Sequence, residues 1–460
     1  MKKKTVLTML MVLAGCIEVA AQPDIWEAAR GRRARVMQAM DDGILIVQST
    51  DRSQPNLYEF FVEDTESHDF TYLTGLDNPM PPGSVLVLNP GGETHREILY
   101  TSDDIDFIKQ VTGLEHVFPH SQFIEDLSSA ITDFRNLRIT QLRFKPIASD
   151  LARSLGDDRK VIYLNYPRFT NLNEPSHPRF AFVTRLREAS PEIEMRDAGD
   201  ILDRLRMIQD EYGLAQLRRA VEITGKGLME AMKVARPGLT TKQVMETADY
   251  IYRLNGARLG FPTSVSSGPP DHRIVYTNAR EEMEARSGSR PIEAGDLVHF
   301  DTGAEHNYYS ADVQRVVPAD GIFTEKQRRI YEKVVEVQET VIRNVRPGAT
   351  WWELHNLAVK MLEEAGGWDE SYTYGIGHFI GMDVHEHGDY LAPYQPGMVL
   401  AIEQGVVVDG IRVAFEDDVL VTADGYEWLT EFIPLRAGDV ETLRREPPQL
   451  EPEKLLLEPR

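Results

Sequence analysis

Two stretches of this chain echo each other: Val234-Ala235-Arg236-Pro237-Gly238-Leu239-Thr240 and Asn344-Val345-Arg346-Pro347-Gly348-Ala349-Thr350. Each follows a long helical pattern, Asp210 to Lys233 in the first case and Glu325 to Arg343 in the second. Each ends in a threonine, with Gln243 or Glu353 three residues on. That spacing predicts a capping box, in which the hydroxyl accepts from a free backbone N–H and the longer side chain reaches back to the cap. A helix, an Arg-Pro-Gly break and a capped second helix thus occur twice. A chain that repeats such a unit is constrained towards a duplicated half-domain with pseudo-twofold symmetry.

Two apparent hairpins accompany the repeat, and both carry acids. Leu297-Val298-His299-Phe300-Asp301 is an apolar strand ending in an acid, and Ala311 to Val317 is its return. Centring the turn on His306-Asn307 sets Asp301 opposite Asp312. In the second hairpin, Met398 to Val408 and Ile411 to Val421 flank Asp409-Gly410, a favoured two-residue turn. Glu403 then faces Glu416. Directly opposed residues have Cβ atoms about 5 Å apart, and like charges there are destabilising. Both pairs sit in apolar strands, and a buried unpaired carboxylate is costly. A cation between them is the economical answer, and four carboxylates can hold two. The run from Gly375 to Gly388 adds His378, His385 and His387. Its glycines do not have dinucleotide-binding spacing, and the chain has no Gly-x-Ser-x-Gly elbow and no P-loop.

The composition narrows the partners. The chain has 460 residues and a net charge of −23, from 50 basic and 73 acidic side chains. Such an acidic balance argues against a nucleic-acid partner, whose phosphates need a basic face. A single cysteine, Cys16, rules out an intrachain disulfide and a cysteine metal cage. Lys2, Lys3 and Lys4 precede the apolar stretch Thr5 to Gly15, which is too short to span a bilayer at about 20 residues per helix. Residues 1–21 read as a signal peptide. Leu13-Ala14-Gly15-Cys16 is similar to a bacterial lipobox, which would put a lipid anchor on Cys16; ordinary cleavage after Ala21 is the alternative. Either way an exported protein of the bacterial cell envelope is expected, lipid-anchored or periplasmic.

Residues 22–202 mix helical patterns with short apolar strands, at Gly43 to Val47, Ser84 to Leu88, Ile98 to Thr101 and Lys160 to Leu164. This predicts an α/β N-terminal domain. The second domain is set at 203–440, and 441–460 is a Pro- and Glu-rich tail.

Asp301 and Asp312 eleven apart, Gly377-His378, Asp383-Val384-His385, Ile402-Glu403 and Glu416-Asp417-Asp418 together resemble the pita-bread metallopeptidases. That family includes methionine aminopeptidases, aminopeptidase P and prolidase. Phe70-Thr71-Tyr72-Leu73-Thr74-Gly75-Leu76-Asp77-Asn78-Pro79 is similar to the aminopeptidase P N-terminal domain. The resemblance implies an α+β catalytic domain, a curved antiparallel sheet covered by pseudo-symmetric helix pairs. It implies Asp301, Asp312, His378, Glu403 and Glu416 as ligands of two divalent ions. Asp312 and Glu416 would bridge both ions, Glu403 would also shuttle protons, and His385 would hydrogen-bond the substrate. One imidazole among four carboxylates favours Mn2+, with Zn2+ or Co2+ able to bind. The expected substrate is a peptide with proline at its second position. The expected reaction is hydrolysis of the bond before that proline by a metal-bridging hydroxide. Self-association into a homo-oligomer is also implied.

Four positions depart from the family pattern. Val275 stands where a substrate-contacting histidine is usual, and Gln314 where Thr or Ser follows the second aspartate. Gln404 replaces a common proline, and Ala414 a common arginine. The metal ligands are intact while the substrate contacts are altered. The alternative expectation is therefore a catalytically weak metal-binding homologue acting as an envelope peptide-binding or scaffold protein.

Overall fold

The computed structural model describes residues 24–49, 68–76, 83–132, 145–155, 160–166, 178–268, 290–372 and 375–452. The predicted signal with Cys16, the Asp77-Asn78-Pro79 match and the Arg273 to Asn278 segment with Val275 lie outside these residues. No helix among the described residues is long and apolar enough to cross a membrane.

The N-terminal domain is a six-stranded mixed sheet. Its strands are β1 (Ile44–Gln48), β2 (Val85–Leu88), β3 (Glu97–Thr101), β4 (His116–Pro119), β5 (Lys160–Leu164) and β6 (Ile193–Asp197), in the order β4-β3-β2-β1-β5-β6. Alternate residues serve two cores: Leu45, Val47, Leu86, Leu88 and Leu99 face one side, and Ile44, Ile46, Val85, Val87 and Ile98 the other. With both faces covered, the inner strands β1, β2 and β5 need apolar side chains almost throughout and read as apolar runs, whereas the edge strands β4 and β6 carry polar residues.

The second domain is built on an antiparallel sheet. After the two-residue β7 (Arg258–Leu259), which belongs to a small separate sheet, its strands are β8 (Ser264–Ser267), β9 (Leu297–Thr302), β12 (Val313–Pro318), β13 (Gly377–Phe379), β14 (Val399–Val408) and β15 (Ile411–Val421), in the order β13-β14-β15-β12-β9-β8. A further strand, β16 (Tyr426–Trp428), pairs with β15. Two helix pairs pack on it, Glu211–Val234 with Thr241–Leu254 and Glu325–Arg343 with Trp351–Glu364. Gly238 and Gly348, at equivalent places in the two Arg-Pro-Gly breaks, take φ of 96° and 84°. The repeat is thus visible in the backbone as well as in the sequence.

The two caps differ in detail. Thr240 and Gln243 form the full capping box. Thr350 accepts from the Glu353 N–H, but the Glu353 carboxylate is drawn instead to Arg346, at 2.8 Å. A third box, Thr324 with Gln327, starts the helix between them. At the C-terminal end, the helix Ala437–Leu443 crosses the expected start of the tail; Val440 and Leu443 are buried, and Glu441 accepts from the Phe323 N–H.

The first hairpin has a different register from the one expected. Two short strands, β10 (Ala304–His306) and β11 (Tyr309–Ser310), intervene, and the turn centres on Asn307 and Tyr308 with φ of 49° and 70°. Both central residues are left-handed, as a primed hairpin turn requires. Moving the turn by one residue shifts the pairing by two and places Asp301 opposite Gln314, with Asp312 two residues further along the same face. Asp301 and Asp312 are therefore diagonal neighbours, not a directly opposed pair. The second hairpin has the expected register: Asp409 and Gly410 form the turn, and Glu403 faces Glu416.

Candidate metal centre

Side chains alternate across a strand, so Glu416 and Asp418 project to one face of β15 while Asp417 projects to the other. On the first face, Asp312, His378 and Glu416 bring one ligand atom each to within 4.8 Å of the others. His378 Nε2 lies 3.4 Å from Glu416 Oε1 and 3.8 Å from Asp312 Oδ2. Its Nδ1 lies 3.0 Å from the Phe379 carbonyl. A proton on Nδ1 donated there leaves the Nε2 lone pair facing the carboxylates, the arrangement a metal-ligating histidine uses. The strand carrying His378 can approach β14 this closely because Gly377 has no side chain. A Cβ there would lie 1.9 Å from the Ala401 carbonyl oxygen.

Asp301 and Glu403 occupy adjoining places. Asp301 faces Gln314, which in turn faces Glu416 on β15, and Glu403 faces Glu416 from β14. Both are half-buried, and both press electrostatically on Asp312. The three tightly clustered residues and these two flanking acids are the five positions that the family resemblance implied.

The electrostatics is that of a cation site. Burial, and then Glu416, Asp301, Asp418 and Glu403, push the Asp312 carboxyl far above the usual carboxylate range. Asp312 Oδ1 is buried with no hydrogen-bond partner. Burial and then Asp301 raise Glu416 to about 8, and burial lowers His378. Hard oxygen donors, one imidazole lone pair and an orphaned buried carboxylate oxygen fit a divalent ion.

This predicts a pH effect with a definite sign. Between about pH 4.5 and 8 the metal-free folded state holds the Glu416 proton that the unfolded chain has released, so stability falls as pH rises through that window. The melting temperature of stripped protein is expected to drop between pH 5 and pH 8. Added Mn2+ should raise it more at pH 8 than at pH 5, because protons compete with the ion. A flat profile for the stripped protein would contradict the buried charge.

The departures have local consequences. Gln314 Nε2 donates to Glu416 Oε2 at 2.7 Å, so this residue steadies a candidate ligand. Gln404 pairs with Phe415 in the ladder, where a proline would remove a donor. Ala414 is buried opposite Gly405, two residues from Glu416 on the same face, and leaves that side of the row small and apolar.

His385 is exposed beside the cluster, its ring centroid 4.2 Å from that of His378. Desolvation and then the adjacent His378 hold it down at about 4, so it is neutral at physiological pH.

On the opposite face lies a group that the motifs did not disclose. Arg315 and Asp417 are wholly buried and paired at 2.6 Å. Arg315 also donates to the Glu416 and Gln314 carbonyls, each at 2.9 Å. Asp417 accepts from Thr430 Oγ1 at 2.6 Å and from Gln338 Nε2 at 2.9 Å. An arginine beside Gln314 within the strand-like run Val313 to Val317 was the sequence signal for it.

Residues 215–423 match the family model described as metallopeptidase family M24, and residues 29–135 match that of the aminopeptidase P N-terminal domain. Xaa-Pro dipeptidase of Pyrococcus furiosus is 31% identical over 261 residues, covering 55% of this chain and 71% of that protein. The chain belongs to metallopeptidase family M24. Within the family, Xaa-Pro aminopeptidase 1 of Streptomyces coelicolor is 32% identical over 277 residues, and the match spans 52% of this chain but only 55% of that relative's length. Xaa-Pro aminopeptidase of Escherichia coli is 27% identical over 470 residues, covering 90% of this chain and 96% of its own. The fold is that of aminopeptidase P, an N-terminal domain followed by the curved pita-bread sheet with its helices. The structure of aminopeptidase P from E. coli with the inhibitor Pro-Leu matches with a TM-score of 0.72 at 22% identity, over 92% of this chain and 99% of that one. An aminopeptidase structure from Pseudomonas aeruginosa gives 0.73 at 23%, over 92% and 98%.

Proposed function

We propose that this protein is a divalent-metal peptidase that hydrolyses the bond between an N-terminal residue and a following proline. The observation that carries the reading is the buried Asp312–His378–Glu416 cluster, flanked by Asp301 and Glu403, with neutral His385 beside it. Asp301, Asp312, His378, Glu403 and Glu416 would hold two ions, with Mn2+ the favoured metal. Bound ions would supply Lewis-acid polarisation and lower the pKa of water towards neutrality. The chain's own groups do the remainder. Glu403, half-buried and beside the cluster, is placed to take a proton from water and return it to the leaving nitrogen. His385, neutral, can donate a hydrogen bond to the substrate carbonyl as charge develops there. The relatives named above as Xaa-Pro peptidases support proline at the second position.

The test is direct. Stripped protein should take up two equivalents of Mn2+ by calorimetry, and the loaded protein should release the first residue of an Xaa-Pro-Xaa peptide but not of its Xaa-Ala-Xaa counterpart. Chelation should abolish release. Metal uptake with no cleavage of any peptide would replace this reading with that of a metal-stabilised peptide-binding protein.

A further inference from the structure

A second buried charge cluster joins the two domains, close to the candidate centre but not part of it. The helix His68–Thr74 of the N-terminal domain supplies His68 and Asp69. The helix Gly199–Arg206 ends in Arg206. The segment after β13 supplies Asp383 and Glu386, which bracket His385 in the chain. Arg206 Nη1 donates to Asp69 Oδ1 at 2.9 Å, and Nη2 lies 2.8 Å from Glu386 Oε1 and also pairs with Asp383. His68 Nδ1 pairs with the other oxygen of Asp383. Arg206, Glu386 and Asp69 are 4%, 2% and 6% exposed, so water screens these contacts little.

The cluster is wired into the backbone of one loop. Glu386 Oε2 accepts from the Met382 N–H at 3.1 Å and the Asp383 N–H at 3.3 Å, and Glu386 Oε1 from the His387 N–H at 3.1 Å. The loop is pinned at its base by Glu386 N–H to the Phe379 carbonyl and by Ser310 N–H to the Gly381 carbonyl. Three carboxylates surround one guanidinium, and His68 supplies the second cation. Burial works against its charge, but Asp383 outweighs that and holds the ring up at about 9.

We propose that His68, Arg206 and Asp383 are positioning residues that make the docking of the N-terminal domain hold the 380–388 loop, and with it the His385 ring beside His378. The N-terminal domain thereby sets the geometry of a site to which it contributes no metal ligand. The inference rests on the peptidase reading for the role of His385, but its geometry stands independently.

His68→Gln and Asp383→Asn test it, since Arg206 variants are at risk of not folding. With saturating Mn2+, each is expected to lower kcat about 10- to 100-fold, the loss that a displacement of roughly 1 Å produces, while KM changes less than threefold. Metal stoichiometry should be unchanged. Hydrogen exchange should rise at 380–388 while β14 and β15 keep their protection. His68→Lys, which keeps a cation beside Asp383, should retain more activity than His68→Leu. Unchanged kcat and unchanged loop exchange in both variants would overturn the proposal, as would a uniform loss of protection across the domain. If the wild-type protein cleaves no peptide, the peptidase reading has failed, and loop exchange in the stripped protein still decides the positioning role.

Discussion

Asp417→Ala is expected to cost about 3–5 kcal/mol of unfolding free energy, because it leaves Arg315 buried without its counter-charge. Arg315 and Asp417 are both fully inaccessible, so no solvent can replace the lost carboxylate. Thr430 and Gln338 would lose an acceptor as well. Denaturant unfolding, followed by a signal from the second domain, measures the effect. A loss below about 1 kcal/mol, the range of an exposed pair, would contradict the assignment. Replacing both partners by apolar residues of similar volume provides the control. That double variant should lose less than Asp417→Ala, since it strands no charge, and its remaining loss reports the backbone carbonyls and the Thr430 and Gln338 donors left without partners. Because Asp417 faces away from the cluster, Asp417→Ala protein that remains folded should still take up metal.

Glu403→Ala has the opposite profile. It is expected to reduce kcat by about 10²- to 10⁴-fold, the range for loss of a general acid–base group. It also removes one of two carboxylates placed directly across a ladder, a repulsion of about 0.2–1 kcal/mol. The metal-free variant should therefore melt at the same temperature as the wild type or slightly higher. Steady-state kinetics and thermal melting together check both halves. Turnover that survives the substitution would remove Glu403 from the proton-transfer role. A fall in the melting temperature of the stripped variant would mean that Glu403 is held by favourable contacts that outweigh its repulsion.

The second hairpin was legible because one local signal determines it. Asp409-Gly410 satisfies a primed turn by itself, and register then follows along the whole ladder. The turn of the first hairpin was displaced by one residue because it is chosen by tertiary contact. Tyr308 takes a left-handed conformation unusual for a bulky residue, and its ring packs beneath Arg258 at 4.8 Å. No neighbouring residue announces that choice. The same contrast holds for the caps: Gln243 completes its box, whereas Glu353 is claimed by Arg346.

The candidate ligands could be proposed from the sequence because they fall within short motifs on or beside strands. The Arg206 cluster could not, since it joins residues 137 and 177 positions apart, and the His68–Asp383 pair spans 315. Contacts of that kind follow from domain docking, for which no spacing rule exists.

The three consecutive acids Glu416, Asp417 and Asp418 have a consequence for the order of events in the life of the molecule. The middle carboxylate is fully satisfied by protein groups on the helix-covered face, so the scaffold can close without any ion. The outer two have raised proton affinity on the other face, so a freshly folded chain would carry protons where a metal would sit. The order this predicts is folding first and loading second. An acidic medium would then keep the site protonated, and a more alkaline or metal-rich one would exchange those protons for an ion.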